Sequence, residues 1–154
     1  MSDLKFVPVG GGALALTHRP RHRDVPRLPA LGVTHVVTLL AEREGAREIG
    51  DAVRRAGLTW IWCPLDNGEP PDVRCTAELR PVLAELATLV SQGATILIHC
   101  SAGIHRTGMF GYALLRQLGL EPVAARAKLL ELRTVTGKGV GDDRLAWGDA
   151  LARP

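Results

Sequence analysis

Thr95-Ile96-Leu97-Ile98-His99-Cys100-Ser101-Ala102-Gly103-Ile104-His105-Arg106-Thr107-Gly108 is the stretch on which both fold and chemistry turn. Its first five residues form a short apolar run without a charge, as expected of a strand buried on both faces of a parallel sheet. A tight loop follows. From about Thr107 to Leu118 the spacing predicts a helix, stopped by Gly119. A loop that enters a helix N-terminus in this way turns several amides toward one point and adds the positive end of the helix dipole, which makes a cradle for an oxyanion. Gly103 in mid-loop supplies the backbone freedom that such a curl requires.

Working outward, strand-like and helix-like segments alternate along the chain. Phe6 to Val9 and Ala13 to Thr17 flank Gly10-Gly11-Gly12 and suit a hairpin. A short helix is predicted from Asp24 to Leu31, a strand from Thr34 to Leu40, a helix from Glu44 to Ala56 and a strand from Leu58 to Cys63. Thr76 to Gln92 reads as a helix in which Pro81 implies a kink or a later start. Pro122 to Arg133 reads as a helix with proline at its first position, and a last helix starts near Asp142 or Asp143. The Thr134 to Gly141 segment reads as a flexible loop able to border the site, with Lys138 on it as either a substrate contact or, the plainer reading, a solvated lysine. The expected fold is α/β: residues 1–154 as one domain, with a parallel-dominated central sheet flanked by helices and ligands beyond the carboxyl ends of the strands.

The chemistry of the quoted stretch follows from residue types. Cys100, at the start of the cradle, meets amide donors, the helix dipole and Arg106, all of which favour a nucleophilic thiolate. Arg106 can clamp two phosphate oxygens and stabilise charge on the equatorial oxygens in a transition state. Thr107 can direct its hydroxyl at the sulfur, and His99 is expected to bond the loop backbone rather than act as a base. Ser101, Ala102, Gly103, Ile104 and His105 complete the substrate-binding cradle with Arg106. Taken alone, Cys100 would read as a buried thiol ending a strand. Its pairing with Arg106 six residues on, with glycine between them and a helix start behind, favours catalysis.

His99-Cys100-x-x-Gly103-x-x-Arg106-Thr107 resembles the motif of the cysteine-dependent protein tyrosine phosphatase superfamily. The order of elements from Thr34 to Trp147 is similar to that of the small dual-specificity branch, the cyclin-dependent-kinase-associated phosphatases in particular. The motif departs from that of the larger tyrosine phosphatases in having His105 where they carry glycine. Phosphate esters need a proton on the leaving group, so a carboxylic acid must reach the pocket from another loop. Cys63-Pro64-Leu65-Asp66-Asn67-Gly68-Glu69-Pro70-Pro71-Asp72 resembles the acid loop of these relatives, which implies Asp66 as general acid. By its residues alone, Asp66 also suits a turn, Asp72 a helix cap and Glu69 the rim. Many relatives position the hydrolytic water with glutamine or asparagine after the motif helix; none occurs from Leu118 onward.

Composition excludes several other classes. At 46% hydrophobic and 23% charged residues, the chain has a globular balance. No apolar run approaches membrane-spanning length and no secretory signal is visible, so no membrane and a cytoplasmic location are expected. Three cysteines, Cys63, Cys75 and Cys100, without a C-x-x-C pair argue against a disulfide framework or a zinc site; no metal and no cofactor is expected. Cys63 or Cys75 could protect an oxidised Cys100 if close enough. Net charge is +3, and only Lys5, Lys128 and Lys138 among 19 basic residues are lysines. The run His18-Arg19-Pro20-Arg21-His22-Arg23, with Arg27, reads as a solvated basic face, its alternative being a surface that recruits an acidic partner or polyphosphate. Six aromatic residues are too few for a base-stacking platform, so no nucleic-acid partner is expected. The reading is a phosphatase for phosphotyrosine in proteins, with phosphoserine and phosphothreonine as further candidates, working through a phosphocysteine. Its alternatives are a phosphoinositide or RNA 5′-phosphate substrate, or a pseudophosphatase that only binds phosphoproteins.

Overall fold

The computed structural model of the chain describes residues 4–153. Five strands, β1 (Val7–Val9), β2 (Gly12–Thr17), β3 (His35–Thr38), β4 (Thr59–Trp62) and β5 (Thr95–His99), form one sheet in the order β1-β2-β5-β3-β4. β1 and β2 are an antiparallel hairpin, and every other neighbouring pair is parallel. The α/β class read from the alternation is therefore observed. Ile96, Leu97 and Ile98 have no exposed surface because β5 lies between β2 and β3.

Register decides where the site falls. His99 is paired with Thr17 on one side and Thr38 on the other, and Thr38 with Trp62. Four parallel strands thus end at one level, and the segments that follow them emerge together at the carboxyl edge of the sheet, where α/β folds bind ligands.

The helices are α1 (Ala46–Arg55), α2 (Val73–Ser91), α3 (His105–Gln117), α4 (Pro122–Leu132), α5 (Thr134–Gly139) and α6 (Asp142–Leu151). α1 packs on β3 and β4, whereas α2, α3 and α4 pack on β2 or β5. α3 is buried continuously from Thr107 to Leu115, since α2, α4, α5 and α6 surround it. On the other flank, Trp60 and Trp62 stack at 5.5 Å between centroids, with the guanidinium groups of Arg54 and Arg47 each 4.9 Å above a ring.

Several elements depart from the sequence reading. The Asp24–Leu31 helix is two 3₁₀ turns, Val25–Arg27 and Pro29–Leu31. The predicted Glu44 start of α1 falls instead in a separate turn, Glu42–Glu44, divided from it by left-handed Gly45. α2 begins three residues early because Asp72 caps it, accepting from the Cys75 amide at 2.8 Å. It continues through Pro81, where Ala77 and Pro81 are both exposed, so the carbonyl left without an amide partner faces water. The Thr134 to Gly141 loop is instead mostly helix α5. Tertiary contact overrides propensity there: a β-carbon on Gly137 would lie 2.7 Å from the Leu130 side chain, and one on Gly139 2.8 Å from Ile104.

The same economy of space governs Gly108, where a β-carbon would lie 2.7 Å from Val140 and 3.1 Å from Thr136. Gly108→Ala gains roughly 1 kcal/mol of helix propensity but overpacks a buried contact at a cost of about 1–3 kcal/mol. The substitution is expected to lower stability, by up to about 2 kcal/mol in denaturant unfolding; a more stable variant would show that α5 yields freely.

Candidate active site

At the end of β5 the chain turns through Cys100–Ile104 into α3, and the first four carbonyls of that turn, Cys100 to Gly103, are held by donors outside it. The Ser101 oxygen accepts from the Arg19 amide at 2.8 Å, and those of Ala102 and Gly103 accept from Arg133 Nη1 at 3.2 and 2.9 Å. Thr136 Oγ1 also donates to the Gly103 carbonyl, and His99 Nδ1 donates to that of Cys100 at 3.1 Å. In a trans peptide the N–H points opposite to its C=O. Carbonyls fastened outward therefore send the amides of Ser101, Ala102, Gly103 and Ile104 inward, and the Gly103 amide meets Cys100 Sγ at 3.3 Å. The first amides of α3 add donors that have no acceptor within the helix.

Gly103 has φ +74°, and a β-carbon there would lie 2.4 Å from the Thr17 carbonyl oxygen. Both the left-handed backbone and the contact with β2 require glycine.

His99 is fully buried, and its two ring nitrogens have fixed roles. The Cys100 carbonyl can only accept, so Nδ1 carries the hydrogen. In the neutral ring Nε2 then accepts from the Thr38 hydroxyl at 2.7 Å, whose oxygen in turn accepts from Trp60 Nε1 at 2.8 Å. Burial pushes the imidazole down to about 4, against a partial upward pull from the Cys100 carbonyl.

Arg106 is the second anchor. Its Nη1 donates to Glu44 Oε2 at 2.8 Å and to the Leu65 carbonyl at 3.0 Å, and its Nη2 to Glu44 Oε1 at 3.0 Å. Three of five donors are thereby spent. The remaining N–H groups, on Nε and Nη2, share one edge of the guanidinium and suit two oxygens of a phosphate. Glu44 also accepts from the Ala41 amide at 2.8 Å, and Arg19 Nη1 donates to the Glu44 carbonyl. The hydrogen bond from Arg106 holds the Glu44 carboxyl below its usual range.

These groups line a pocket of ≈ 200 Å³ formed by Asn67, Gly68, Cys100, Ser101, Ala102, Ile104, His105 and Arg106. Of the residues expected at the site, the pocket wall lacks Gly103, which is buried and contributes its amide to Cys100 Sγ, and also Thr107 and Asp66. Thr107 is buried, but its hydroxyl has no hydrogen-bond partner, the sulfur included. Asp66 lies on the other side of its loop, beside a separate pocket of ≈ 260 Å³ lined also by Glu69, Asp72 and Cys75. There Arg43 holds it twice, by Nη1 to Oδ1 at 3.3 Å and by Nη2 to its carbonyl at 2.8 Å. The residues that the loop turns to the Cys100 pocket are Asn67 and Gly68. Cys63 and Cys75 both lie off the Cys100 pocket; Cys63 is raised to about 12, by burial first and then by Cys75.

Residues that motif reading missed are Glu44, Arg19, Arg133, Thr136, Arg43 and Arg144, whose Nε donates to the Gly68 carbonyl. None of them left a signal in the sequence: Glu44 does accept from the Ala41 amide, but alanine at the cap gives no capping-box pattern to read. Arg19 belongs to the basic run read as solvated, and it is instead packed against the catalytic loop. Among the described residues no group of three His, Cys, Asp or Glu side chains is placed to hold a metal, and no helix is long and apolar enough to cross a membrane.

A cysteine and an arginine on a carbonyl-out loop, at the end of a parallel sheet, define the cysteine-dependent phosphatases, which hydrolyse phosphoric monoesters. The chain belongs to the Swiss Army Knife group of dual-specificity-type phosphatase domains (PTP-SAK, DSP-PTPase), whose family pattern matches residues 5–141. Among solved structures, kinase-associated phosphatase with its catalytic cysteine changed to serine is similar at TM-score 0.74 and 20% identity, over 97% of this chain and 95% of that one. Tk-PTP in its active form is similar at TM-score 0.72 and 24% identity, over 95% and 94%. The P. aeruginosa phosphatase TpbA, as a cysteine-to-serine variant with phosphotyrosine, is similar at TM-score 0.59 and 24% identity, over 97% and 88%. No curated protein sequence matches the chain.

Two measurements test the geometry. His99 has a folded-state value below its unfolded one, so only the unfolded chain takes up this proton between about pH 6.5 and 4. The neutral ring's contribution is present above pH 6.5 and is lost on acidification through that window, by up to about 3 kcal/mol. His99→Gln is expected to flatten that part of the stability profile; an NMR titration of His99 near the ordinary histidine value would contradict the burial. Arg133→Met removes the donor to two loop carbonyls and is expected to weaken inhibition by inorganic phosphate about tenfold, from the ~1–3 kcal/mol of a charge-assisted bond. An unchanged inhibition constant would mean that the loop keeps its shape without it.

Proposed function

We propose that this phosphatase acts on phosphotyrosine in proteins, with phosphoserine and phosphothreonine as further substrates, through a phosphocysteine on Cys100. The observation that carries the reading is the free Nε/Nη2 edge of Arg106 on a pocket whose sulfur already receives an inward amide. A phosphate seated there has its equatorial oxygens on the amides of Ser101 to Arg106 and on that edge, with phosphorus in line with Sγ. Charge that spreads over those oxygens in the transition state is met by donors already oriented, so little reorganisation is needed.

Cys100 attacks phosphorus, the ester oxygen leaves with a proton, and water then cleaves the S–P bond to release phosphate and restore the thiolate. Thr107 is the candidate to support sulfur as it leaves in the second step, since its buried hydroxyl is committed to no other group. Asp66 could serve as proton donor only after releasing Arg43 and turning across the loop. A protein substrate is supported by the absence of lysine from the catalytic loop, where lipid-directed relatives tend to carry it. It is further supported by the similar TpbA structure, which holds phosphotyrosine.

Cys100→Ser is expected to abolish phosphate release from a phosphotyrosine peptide and from p-nitrophenyl phosphate. The parent protein is expected to prefer that peptide in a panel with phosphoinositides and 5′-phosphorylated RNA. A Cys100→Ser variant as active as the parent would remove the nucleophile, and a preference for lipid or RNA would overturn the substrate class.

A further inference from the structure

The leaving oxygen must receive a proton, yet no carboxylate lines the Cys100 pocket among the described residues. Each nearby acid is engaged elsewhere. Asp66 is on Arg43, Glu44 is on Arg106, and Asp72 caps α2. Glu69 faces the separate pocket. Asn67, which the acid loop does present, accepts from the Glu69 amide at 2.9 Å and has no proton to transfer. The remaining titratable group on the wall, besides Cys100 and Arg106, is His105.

His105 opens α3 and is exposed, and it packs against the facing loop closely enough that a β-carbon on Gly68 would lie 3.0 Å from its own Cβ. It therefore stands between the catalytic loop and the acid loop, on the wall of the Cys100 pocket. Imidazole is the side chain whose ordinary range lets it give and take protons near neutral pH.

We propose that His105 is the catalytic acid and base of this phosphatase. This rests on the reading of Cys100 as nucleophile. In the first step Sγ bonds to phosphorus as the P–O bond to the leaving group breaks, and the His105 imidazolium gives its proton to that oxygen, releasing a neutral alcohol or phenol. In the second step neutral His105 takes a proton from water as its oxygen bonds to phosphorus and the S–P bond breaks. Phosphate leaves, and imidazolium and thiolate are restored. Arg144 anchors the opposing wall through the Gly68 carbonyl, which sets the width of the gap. The groups facing His105 are Cys100 and Arg106 from its own loop and helix, Asn67 and the Gly68 main chain from the facing loop, and Arg144 from α6, whose Nη1 is itself 3.9 Å from Asp143 Oδ1.

The test compares His105→Gln with Asp66→Asn on phenyl phosphate and p-nitrophenyl phosphate across pH, using full-length protein. An acid catalyst matters most when the leaving group is a strong base. His105→Gln is expected to lower kcat on phenyl phosphate about 10²-fold, and far less on p-nitrophenyl phosphate. It should also abolish the fall of kcat on the alkaline side, which Asp66→Asn should retain. Inhibition by vanadate should stay at the parent's affinity in His105→Gln, since the loop amides and Arg106 are untouched. The inference is overturned if His105→Gln keeps the alkaline fall, if Asp66→Asn loses it, or if vanadate affinity drops in step with rate, which would make His105 a support for the loop. If Cys100→Ser remains active the whole reaction scheme fails; if it is dead while His105→Gln behaves as the parent, only this inference does.

Discussion

The outward fastening of four consecutive carbonyls, Cys100 to Gly103, is the constraint on which the rest of the site depends. Turning amides inward without a ligand is unfavourable, because parallel dipoles crowd one point. The chain offsets this from the outside, with donors from four places: the His99 ring, the Arg19 amide, Arg133 at the end of α4, and Thr136 in α5. The equal ending of the parallel strands brings the first two within reach. The close fit of α5 under Ile104 and Gly108 brings the others. Fold and site are thus one arrangement: a sheet that ends level, and a helical layer tight enough to keep the loop from relaxing.

Arg106 and Glu44 extend that arrangement toward substrate. Their side chains are 12% and 25% exposed, so the pair is worth less to stability than a dry ion pair, and its effect is mainly geometric. One edge of the guanidinium is fixed so that the other is presented. The Glu44 carboxyl, held below its usual range by Arg106, contributes above the ordinary carboxylate value and loses that contribution only as pH falls through its lowered one. Arg106 therefore stays oriented through mildly acidic conditions. Acidification acts earlier on His99, whose buried neutral ring the unfolded chain has no reason to keep neutral.

Sequence reading recovered what depends on local pattern. The apolar run into His99, the glycine in mid-loop and the arginine six residues past the cysteine each carry a physical requirement visible in one dimension, and so do the strand and helix alternations. It failed where a tertiary contact decides. Nothing in Thr134–Gly139 announces a helix, because its reason is the fit of Gly137 and Gly139 against Leu130 and Ile104. Arg19 looked like one of several solvated arginines until the β2 end placed it against Ser101. Asp66 has the chemistry of an acid, but a partner on the preceding turn, Arg43, determines which way that part of the loop faces. Side-chain direction in a loop is set by neighbours that spacing does not reveal.

A crystal structure with tungstate bound tests the central claim most directly. The account predicts the oxyanion above Cys100, bonded by the inward amides and by Nε and Nη2 of Arg106, with Glu44 still on the Nη1/Nη2 end and the four carbonyls unmoved. An oxyanion seated elsewhere, or a loop whose carbonyls turn inward once Arg106 has left Glu44, would contradict it.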